Sequence, residues 1–250
     1  NIISNYIKMR TLKFISLALL CGIFAVSCNS ASPKQANPDF TKAEIDTVST
    51  AIGYSLASMV KQSNFGALDN DAIIKAYKEM MSREEVPSQD EMMSWNSDIQ
   101  TYMQKKMERE GQRNLETGNA FLTENKTKEG VVELPSGLQY KVIREGNEVR
   151  AKAEDTVEVH YVGTLIDGTE FDSSYKNNEM AKFPLNRVIP AWTEGMQLIG
   201  EGGKIILYVP AALGYGPNGA GDKIGPNSTL VFEVEMNKIF PATAAPAETK

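Results

Sequence analysis

The sequence predicts an α+β protein in which a helical half precedes a sheet-forming half. Between residues 41 and 128, apolar side chains recur at the spacing of amphipathic helices. From residue 129 onward, short runs rich in Val, Ile and aromatic residues alternate with turns that contain Gly and Pro, as strands do. The chain has 250 residues and ordinary apolar and charged fractions, so one large or two medium domains are expected.

The first 27 residues have the pattern of a secretory signal peptide. Basic residues precede an apolar run at 14–26, which is short for a membrane span but suits an h-region. The run ends in Ala-Val-Ser-Cys, which resembles the bacterial lipobox, so cleavage before Cys28 and lipidation of Cys28 are expected. A buried apolar helix with an incidental cysteine is the alternative. Residues 28–40 fit a flexible tether that begins at the lipidated cysteine, and residues 241–250 fit a disordered tail.

Charge and cysteine content narrow the range of partners. Loss of residues 1–27 removes three basic residues and no acidic residue, which moves the net charge from −6 to −9. Such an acidic chain is a poor match for nucleic acid, so nucleic acid is not expected as a partner. Cys21 lies within the removed segment and Cys28 would carry lipid, so the mature chain would keep no thiol for a disulfide.

Residues 41–128 are predicted to form a helical domain that ends in a long connecting helix. Two apolar stripes mark the first two helices, the second of them after an N-cap at Asp69: Ile45, Val48, Ile52, Leu56 and Met59, then Ile73, Tyr77, Met80 and Met81. The third helix begins at a capping box formed by Ser88 and Glu91, and its polar continuation contains no proline. Gly111 and Gly118 are the points at which this helix should be weakest.

The apolar stripes contain more apolar surface than so small a helical domain can bury by itself. They could form the core of a homodimer through residues 41–128, or present an adaptable Met-rich surface to unfolded chains. A self-contained helical subdomain is the remaining interpretation. No constellation of catalytic residue types is found in this half of the sequence.

The sheet-forming half is organised around a predicted hairpin at residues 157–174. Val157, Val159 and Tyr161 alternate with residues that face the other side of a strand. Asp167-Gly168 then offers the positive-φ positions of a tight turn, after which the chain returns through residues 169–172. The hairpin therefore brings two aromatic residues and one carboxylate close together.

The rest of this half supplies a short helix, a long loop and further strands. Pro190 suits the first position of a helix over residues 191–198 that carries Trp192. A buried strand is predicted at 205–209 and a closing strand at 229–239. The loop between them is long and rich in Gly and Pro, and loops of that kind in compact domains usually serve binding.

Familiar catalytic arrangements are disfavoured by elimination. His160 is the only histidine and is expected on the strand face opposite Tyr161, and no Cys/His spacing suits zinc. The GxGxxG match at 214–219 continues into a loop instead of a helix, which argues against a dinucleotide site. No spacing assigns an acid pair among Asp155, Glu158, Glu170 and Asp172. No metal or cofactor is expected, and an aromatic pocket with few polar groups remains.

Residues 137–240 resemble the FKBP-type peptidyl-prolyl isomerases. Three blocks in the right order carry the resemblance: VHYVGTLIDGTEFDSS, VIPAWTEGMQLIGEGGKIILYVP and ALGYGPNGAGDKIGPNSTLVFEVEM. The helical half and its junction, with AIGYSLASMV and GNAFLTENKTKEGVVELPSGLQYKVI, are similar to the Mip/FkpA group of dimeric bacterial envelope isomerases. The resemblance implies a half-open antiparallel sheet wrapped on a short helix at residues 129–240, after an all-α dimerisation domain.

The resemblance also implies a pocket and a role for each residue in it. Catalytic roles fall on Tyr161, Phe171, Asp172 and Tyr215, and substrate-binding roles fall on Phe183, Val188, Ile189, Trp192 and Phe232. Trp192 should form the floor and Phe171, Phe183 and Phe232 the walls. The Tyr215 hydroxyl and the Ile189 backbone N–H would hold carbonyls of the substrate, and macrolides of the FK506 type would occupy the same site. An ideal two-residue turn would put Phe171 on the face opposite Tyr161 and Asp172, so a bulge or a longer turn is required.

The function that follows is acceleration of X–Pro bond rotation in exported proteins, together with assistance to folding. The protein would be lipid-anchored in the bacterial envelope, at the outer membrane and facing the periplasm, with exposure at the cell surface as the alternative. Its partners would be proline-containing unfolded polypeptides, a second copy of the chain and the membrane that holds the anchor. The alternative is a non-catalytic chaperone or an adhesion-type envelope lipoprotein that uses the helical domain.

Overall fold

The computed structural model describes residues 39–177 and 179–242. These residues form two compact units, 39–104 and 105–242. The predicted signal peptide, the lipidation site at Cys28 and most of the predicted tether and tail lie outside the described residues. In the part of the chain that is described, no helix has both the length and the apolar character needed to cross a membrane.

The first unit contains two helices and the beginning of a third. Helix α1 (Lys42–Gln62) starts at a capping box, in which Thr41 and Glu44 each accept a backbone N–H of the other with their side chains. Helix α2 (Asn70–Ser82) starts at Asp69, whose carboxylate accepts a backbone N–H of the first turn. No residue of either helix is buried. Every residue of the two apolar stripes is therefore exposed on the described unit, except Met80, which is half-buried.

Helix α3 (Gln89–Asn125) is continuous over 37 residues, as the sequence predicts. Its capping box is present: the Ser88 hydroxyl accepts the Glu91 N–H at 3.2 Å, and the Glu91 carboxylate accepts the Ser88 N–H at 2.9 Å. Neither Gly111 nor Gly118 breaks the helix, because both are buried against the loop that precedes the last strand. The division between the two compact units lies inside α3, between residues 104 and 105.

A seven-stranded antiparallel sheet forms most of the second unit. Its strands are β1 (Val132–Glu133), β2 (Gln139–Arg144), β3 (Thr156–Leu165), β4 (Glu170–Ser173), β5 (Ala181–Pro184), β6 (Lys204–Val209) and β7 (Leu230–Phe240). The order across the sheet is β1-β2-β6-β7-β3-β4, and β5 pairs with the first half of β3. Its core face packs on the short helix α4 (Pro190–Gly195). The expected architecture, an open antiparallel sheet around a short helix after a helical domain, is confirmed.

Alternation along the strands decides which side chains reach the core. Leu230, Phe232, Val234 and Met236 of β7 are all fully buried, as predicted. Strand β6, predicted to be buried throughout, instead buries only alternate residues. Its second face lies beneath α3, where the ring of Tyr208 is 6.1 Å from that of Phe121. The helix covers this face only in part, which leaves it half-exposed.

Helix α4 is shorter than the sequence suggests. Pro190 occupies its first turn as predicted, but the helix ends at Gly195 instead of residue 198. A Cβ on Gly195 would lie 2.7 Å from both methyl groups of Leu207, so the end of the helix is held directly against β6. This close approach fixes the height at which Trp192 lies over the sheet.

Candidate active site

The hairpin between β3 and β4 contains the bulge that the pocket requires. Gly163 pairs with Asp172, whereas the next residue, Thr164, pairs with Glu170, so Phe171 has no partner of its own. An extra residue in one strand turns two consecutive side chains toward the same face. Phe171 and Asp172 are both buried as a result, at 3% and 9% exposure.

The turn of this hairpin is longer than the predicted two residues. The Leu165 N–H donates to the Thr169 carbonyl, and the Gly168 N–H donates back to the Leu165 carbonyl. Three residues therefore make the turn, and only Gly168 of the predicted Asp167-Gly168 pair has a positive φ, at 85°. The Asp167 carboxylate accepts the Thr169 N–H, and this bond lowers the pKa of that carboxyl.

Trp192 is the centre of an aromatic cluster that joins helix α4 to three strands. Its indole meets the rings of Tyr161, Phe183 and Phe232 edge to face, with centroid distances of 5.2, 5.6 and 5.4 Å. Phe171 meets Phe232 in the same way at 5.5 Å. The structure thus brings together all the aromatic residues that the resemblance placed on the floor and walls.

The indole N–H of Trp192 is buried and has no hydrogen-bond partner among the described residues. A buried unpaired donor costs free energy, so sites of this kind are rare in ordinary cores. The neighbouring rings of Phe183 and Phe232 are wholly apolar, and the Tyr161 hydroxyl is bonded to Asp172. An apolar surround is therefore maintained here at the expense of stability.

Tyr161 and Asp172 form the polar edge of the cluster. The Tyr161 hydroxyl donates to Asp172 Oδ2 at 2.7 Å, and Asp172 Oδ1 accepts the Ser173 N–H at 2.9 Å. Burial, and after it the bond to Asp172, raises the pKa of Tyr161 far above its usual value. Tyr215 adds a smaller effect on this pKa in the same direction.

Tyr215 lies within the long loop, between two single turns of 3₁₀ helix at Ala211–Leu213 and Gly216–Asn218. Its side chain is almost fully buried, at 9% exposure. The GxGxxG match around it opens no α-helix, which removes the dinucleotide interpretation. The loop is also tied to the hairpin, because the Lys223 ammonium donates to the Phe171 carbonyl at 3.4 Å.

Val188 and Ile189 lead into α4. Ile189 is buried and its carbonyl accepts the N–H groups of Trp192 and Thr193, so it caps the helix with its backbone. Its own N–H donates to no group among the described residues. Val188 is half-buried against the core. This segment accordingly offers one unused backbone donor beside the aromatic cluster.

The other titratable candidates are engaged elsewhere. His160 stacks on Tyr175 at 4.4 Å and lies 3.0 Å from the Ser174 hydroxyl, on the face away from the cluster. Glu170 pairs with Lys176, and Asp155 accepts two backbone N–H groups. No carboxylate pair forms at the cluster. Nor does any group of three His, Cys, Asp or Glu in the described ranges suit a metal ion.

Three residues of this region were not singled out from the sequence. Gly163 makes room for Phe171, Lys223 holds the hairpin to the loop, and Ser174 accepts the Tyr161 N–H at 2.8 Å with its hydroxyl. An isolated glycine inside a strand pattern is a signal of close approach, so Gly163 could have been found. The other two depend on tertiary contacts that no local pattern encodes.

Comparison with known proteins agrees with this fold and site. Residues 147–237 match the family described as FKBP-type peptidyl-prolyl cis-trans isomerase, and residues 45–142 match the domain amino terminal to such isomerases. A Neisseria meningitidis serogroup B protein named "Probable FKBP-type peptidyl-prolyl cis-trans isomerase FkpA" is 42% identical over 79% of this chain and 74% of its own. The Legionella longbeachae "Outer membrane protein MIP" is 35% identical over 92% of this chain and 96% of its own.

A solved structure extends the likeness to three dimensions. The crystal structure of FkpA from Escherichia coli superposes with a TM-score of 0.70 at 35% identity, covering 83% of this chain and 99% of that one. The fold, the cluster and these matches define an isomerase of X–Pro peptide bonds. The chain belongs to the FKBP-type peptidyl-prolyl cis-trans isomerase family, with the amino-terminal helical domain found in the FkpA and Mip proteins.

Proposed function

We propose that isomerisation takes place over Trp192, within the cluster formed with Tyr161, Phe171, Phe183 and Phe232. The observation that carries the proposal is the bulge at Phe171, which turns Phe171 inward against Phe232 and Asp172 inward against the Tyr161 hydroxyl. An ordinary sheet core needs no such irregularity. A flat, ring-lined site above an indole suits the pyrrolidine ring of proline.

The physical basis is a difference in polarity between ground and transition states. Rotation about a peptide C–N bond breaks amide resonance and meets a barrier of roughly 18–20 kcal/mol. The twisted transition state has less charge separation than the planar amide, so an apolar site with little water favours it. The surround of aromatic carbon at Trp192 provides such a site.

The polar groups at the edge are assigned separate tasks. The Tyr215 hydroxyl and the unused Ile189 N–H hold carbonyls of the bound peptide and so orient it. Asp172 fixes the phenol of Tyr161 by accepting its hydroxyl hydrogen bond at 2.7 Å. Val188 completes the apolar edge beside Ile189.

A matched pair of tyrosine variants tests this assignment. Tyr215→Phe removes a hydroxyl at the site, whereas Tyr208→Phe removes one from a half-buried tyrosine of β6 outside it. In a protease-coupled prolyl-peptide assay, kcat/KM is expected to fall about two- to tenfold for Tyr215→Phe and to stay at the wild-type value for Tyr208→Phe. Equal values for the two variants would remove Tyr215 from the mechanism.

Macrolides of the FK506 type are proposed to bind the same cluster. A rigid apolar ligand over Trp192 excludes water from the indole and competes with the peptide. Titration should therefore quench Trp192 fluorescence and inhibit isomerisation over the same concentration range. Quenching without inhibition would show that the macrolide and the peptide occupy different places. Trp95→Phe removes the second tryptophan and makes the fluorescence signal specific.

The helical unit is proposed to form a homodimer with a second copy of the chain. Its helices carry a row of large apolar side chains that are 39–59% exposed and that nothing in the described unit covers: Ile45, Val48, Ile52, Leu56 and Met59. Burying such rows between two copies is favourable at about 25 cal/mol per Å². Light scattering should give a dimeric mass for the full chain and a monomeric mass for residues 130–250. A dimeric fragment would place the interface in the isomerase unit.

Location in the bacterial envelope and assistance to the folding of exported polypeptides complete the proposal. The signal-like segment and its terminal cysteine support a lipid anchor, and the Legionella relative is named as an outer membrane protein. Metabolic labelling with a radioactive fatty acid should mark the wild-type chain and leave Cys28→Ala unlabelled. Label on both chains would place the lipid elsewhere.

Folding assistance is tested by following the aggregation of an unfolded exported protein in the presence of the Tyr215→Phe variant. This experiment shows whether folding assistance is separable from isomerisation.

A further inference from the structure

The second half of helix α3 is joined to the loop that carries Tyr215. The Asn114 side-chain amide donates to the Pro226 carbonyl at 2.9 Å, and the Asn227 side-chain amide donates to the Gly111 carbonyl at 3.4 Å. The two bonds run in opposite directions between the helix and the loop. We call these four residues the helix clamp.

Two glycines allow the helix to come this close. A Cβ on Gly111 would lie 3.1 Å from the Asn227 amide nitrogen and 3.3 Å from Pro226 Cβ. A Cβ on Gly118 would lie 3.0 Å from Thr229 Cβ and closer still to its hydroxyl. Gly111 and Gly118 are seven residues apart, about two turns, and so share one helix face. Each glycine is a poorer helix former than alanine, and the close contact explains why glycine is present at both positions.

The clamp continues into the active-site loop through Asn227. This residue has a φ of 54°, a conformation that asparagine adopts more readily than most side chains. Its backbone N–H donates to the Gly216 carbonyl at 2.8 Å, while its side chain bonds to the helix. Gly216 directly follows Tyr215. One residue therefore connects the helix backbone to the peptide unit next to the proposed catalytic phenol.

We propose that Asn114 and Asn227 are positioning residues for isomerisation, which hold Tyr215 in place by fastening its loop to helix α3. The long helix is then part of the frame of the active site as well as a connection between the units. The inference rests on the role proposed above for Tyr215. A positioning role differs from a purely structural contact in one testable way. Loss of the clamp should reduce catalysis, and the reduction should require the Tyr215 hydroxyl.

Substitutions in the full-length chain test the clamp on both sides. Asn114→Ala removes one donor and improves helix propensity, and Asn227→Gly removes the other while keeping the positive φ accessible. Asn114→Asp keeps the shape of the side chain but loses the amide donor. Gln112→Ala is the matched control, because the Gln112 side-chain amide donates to Glu116 on the same helix. We expect kcat/KM to fall about two- to tenfold in the three clamp variants and to be unchanged in the control.

A double-mutant cycle tests whether the clamp affects catalysis through Tyr215. If the clamp acts by positioning the phenol, Asn114→Ala has no further effect on kcat/KM in a Tyr215→Phe background. Amide hydrogen exchange at Asn227 should also become faster in Asn114→Ala, because its bond to Gly216 is loosened. Both results support the inference.

Other results overturn it in distinguishable ways. Clamp variants that lower the melting temperature but keep the wild-type kcat/KM leave only a structural contact. An effect of Asn114→Ala that is the same with and without the Tyr215 hydroxyl rules out the route through Tyr215. If Tyr215→Phe alone has wild-type activity, the role proposed for Tyr215 fails. If Tyr215→Phe is impaired and the clamp variants are not, only the inference drawn from the clamp fails.

Discussion

The position that a Cβ of Gly163 would occupy lies 2.5 Å from Cε2 of Phe171, inside the ring's van der Waals surface. The ring fills the space above β3 that any other residue would need. The bulge turns Phe171 inward, and the glycine opposite gives it room. The bulge and Gly163 are therefore both needed for the Phe171 ring to form one wall of the site.

Gly163→Ala is expected to lower both stability and activity. The added methyl must displace Phe171 or Phe232, and overpacking of this kind costs about 1–3 kcal/mol. Urea unfolding measures the loss of stability, and the prolyl-peptide assay under conditions where the variant is folded measures the loss of activity. Gly53→Ala is the control for activity, since a Cβ there meets no atom within 4 Å, and its position within α1 predicts a gain in stability of about 0.5–1 kcal/mol instead of a loss. A Gly163→Ala protein with wild-type kcat/KM would show that Phe171 need not hold this position.

The hydrogen bond between Tyr161 and Asp172 should be strong enough to measure. Tyr161→Phe leaves a nearly buried carboxylate oxygen without its phenolic donor, which is expected to lower the free energy of unfolding by about 1–3 kcal/mol. In a double-mutant cycle with Asp172→Asn, the two losses should be less than additive because both remove the same bond. Tyr208→Phe, analysed by the same urea titration, should cost less. Strictly additive losses would mean that the bond contributes nothing to stability.

Sequence patterns predicted the elements of this protein better than their contacts. The helices, their caps and the inward face of β7 follow from local spacing, because periodicity and capping are local properties. The course of α3 also followed, but the role of its glycines did not. Gly111 and Gly118 look like weak points in a sequence, and only the opposing loop shows that they are contact surfaces.

In the site, too, the contacts were harder to predict from the sequence than the residues. Resemblance supplied its aromatic residues, and alternation alone would have put Phe171 on the wrong face. The need for a bulge could be stated from the sequence, whereas its place opposite Gly163 and Thr164 depends on how Phe171 packs against Gly163 and Phe232. The three-residue turn is a consequence of the same fit. The position of the bulge and the length of the turn are set by packing between strands. The sequence of one strand alone therefore does not predict them.

Stability should depend on pH through Asp155. Its carboxylate accepts the Lys152 and Ala242 backbone N–H groups, each at 2.8 Å, and these bonds lower the pKa of Asp155 in the folded protein. A lowered folded pKa gives stability that is present above the unfolded value of about 3.9 and is lost as the pH falls through the folded value. Asp155→Asn should therefore unfold at lower urea than wild type at pH 7, and the difference should shrink below about pH 4. A difference independent of pH would assign the effect to shape instead of charge.

The last residues of α3 should contribute measurably to the isomerase unit. Gln139 is almost completely buried, and its side-chain amide donates to the Leu122 carbonyl at 2.8 Å while its oxygen accepts from Asn125 at 3.0 Å. A fragment of residues 129–242 loses both partners and the cover of Leu122, whereas a fragment of residues 105–242 keeps them.

The shorter fragment is consequently expected to be less stable by about 1–3 kcal/mol in urea unfolding. Gln139→Leu is the matched comparison, because it replaces the amide with an apolar side chain of similar size. It should cost the longer fragment stability and cost the shorter fragment less, since the shorter one has already lost two of the three hydrogen bonds of that amide. Equal unfolding free energies for the two fragments would mean that the end of α3 adds no stability to the isomerase unit and only connects it to the rest of the chain.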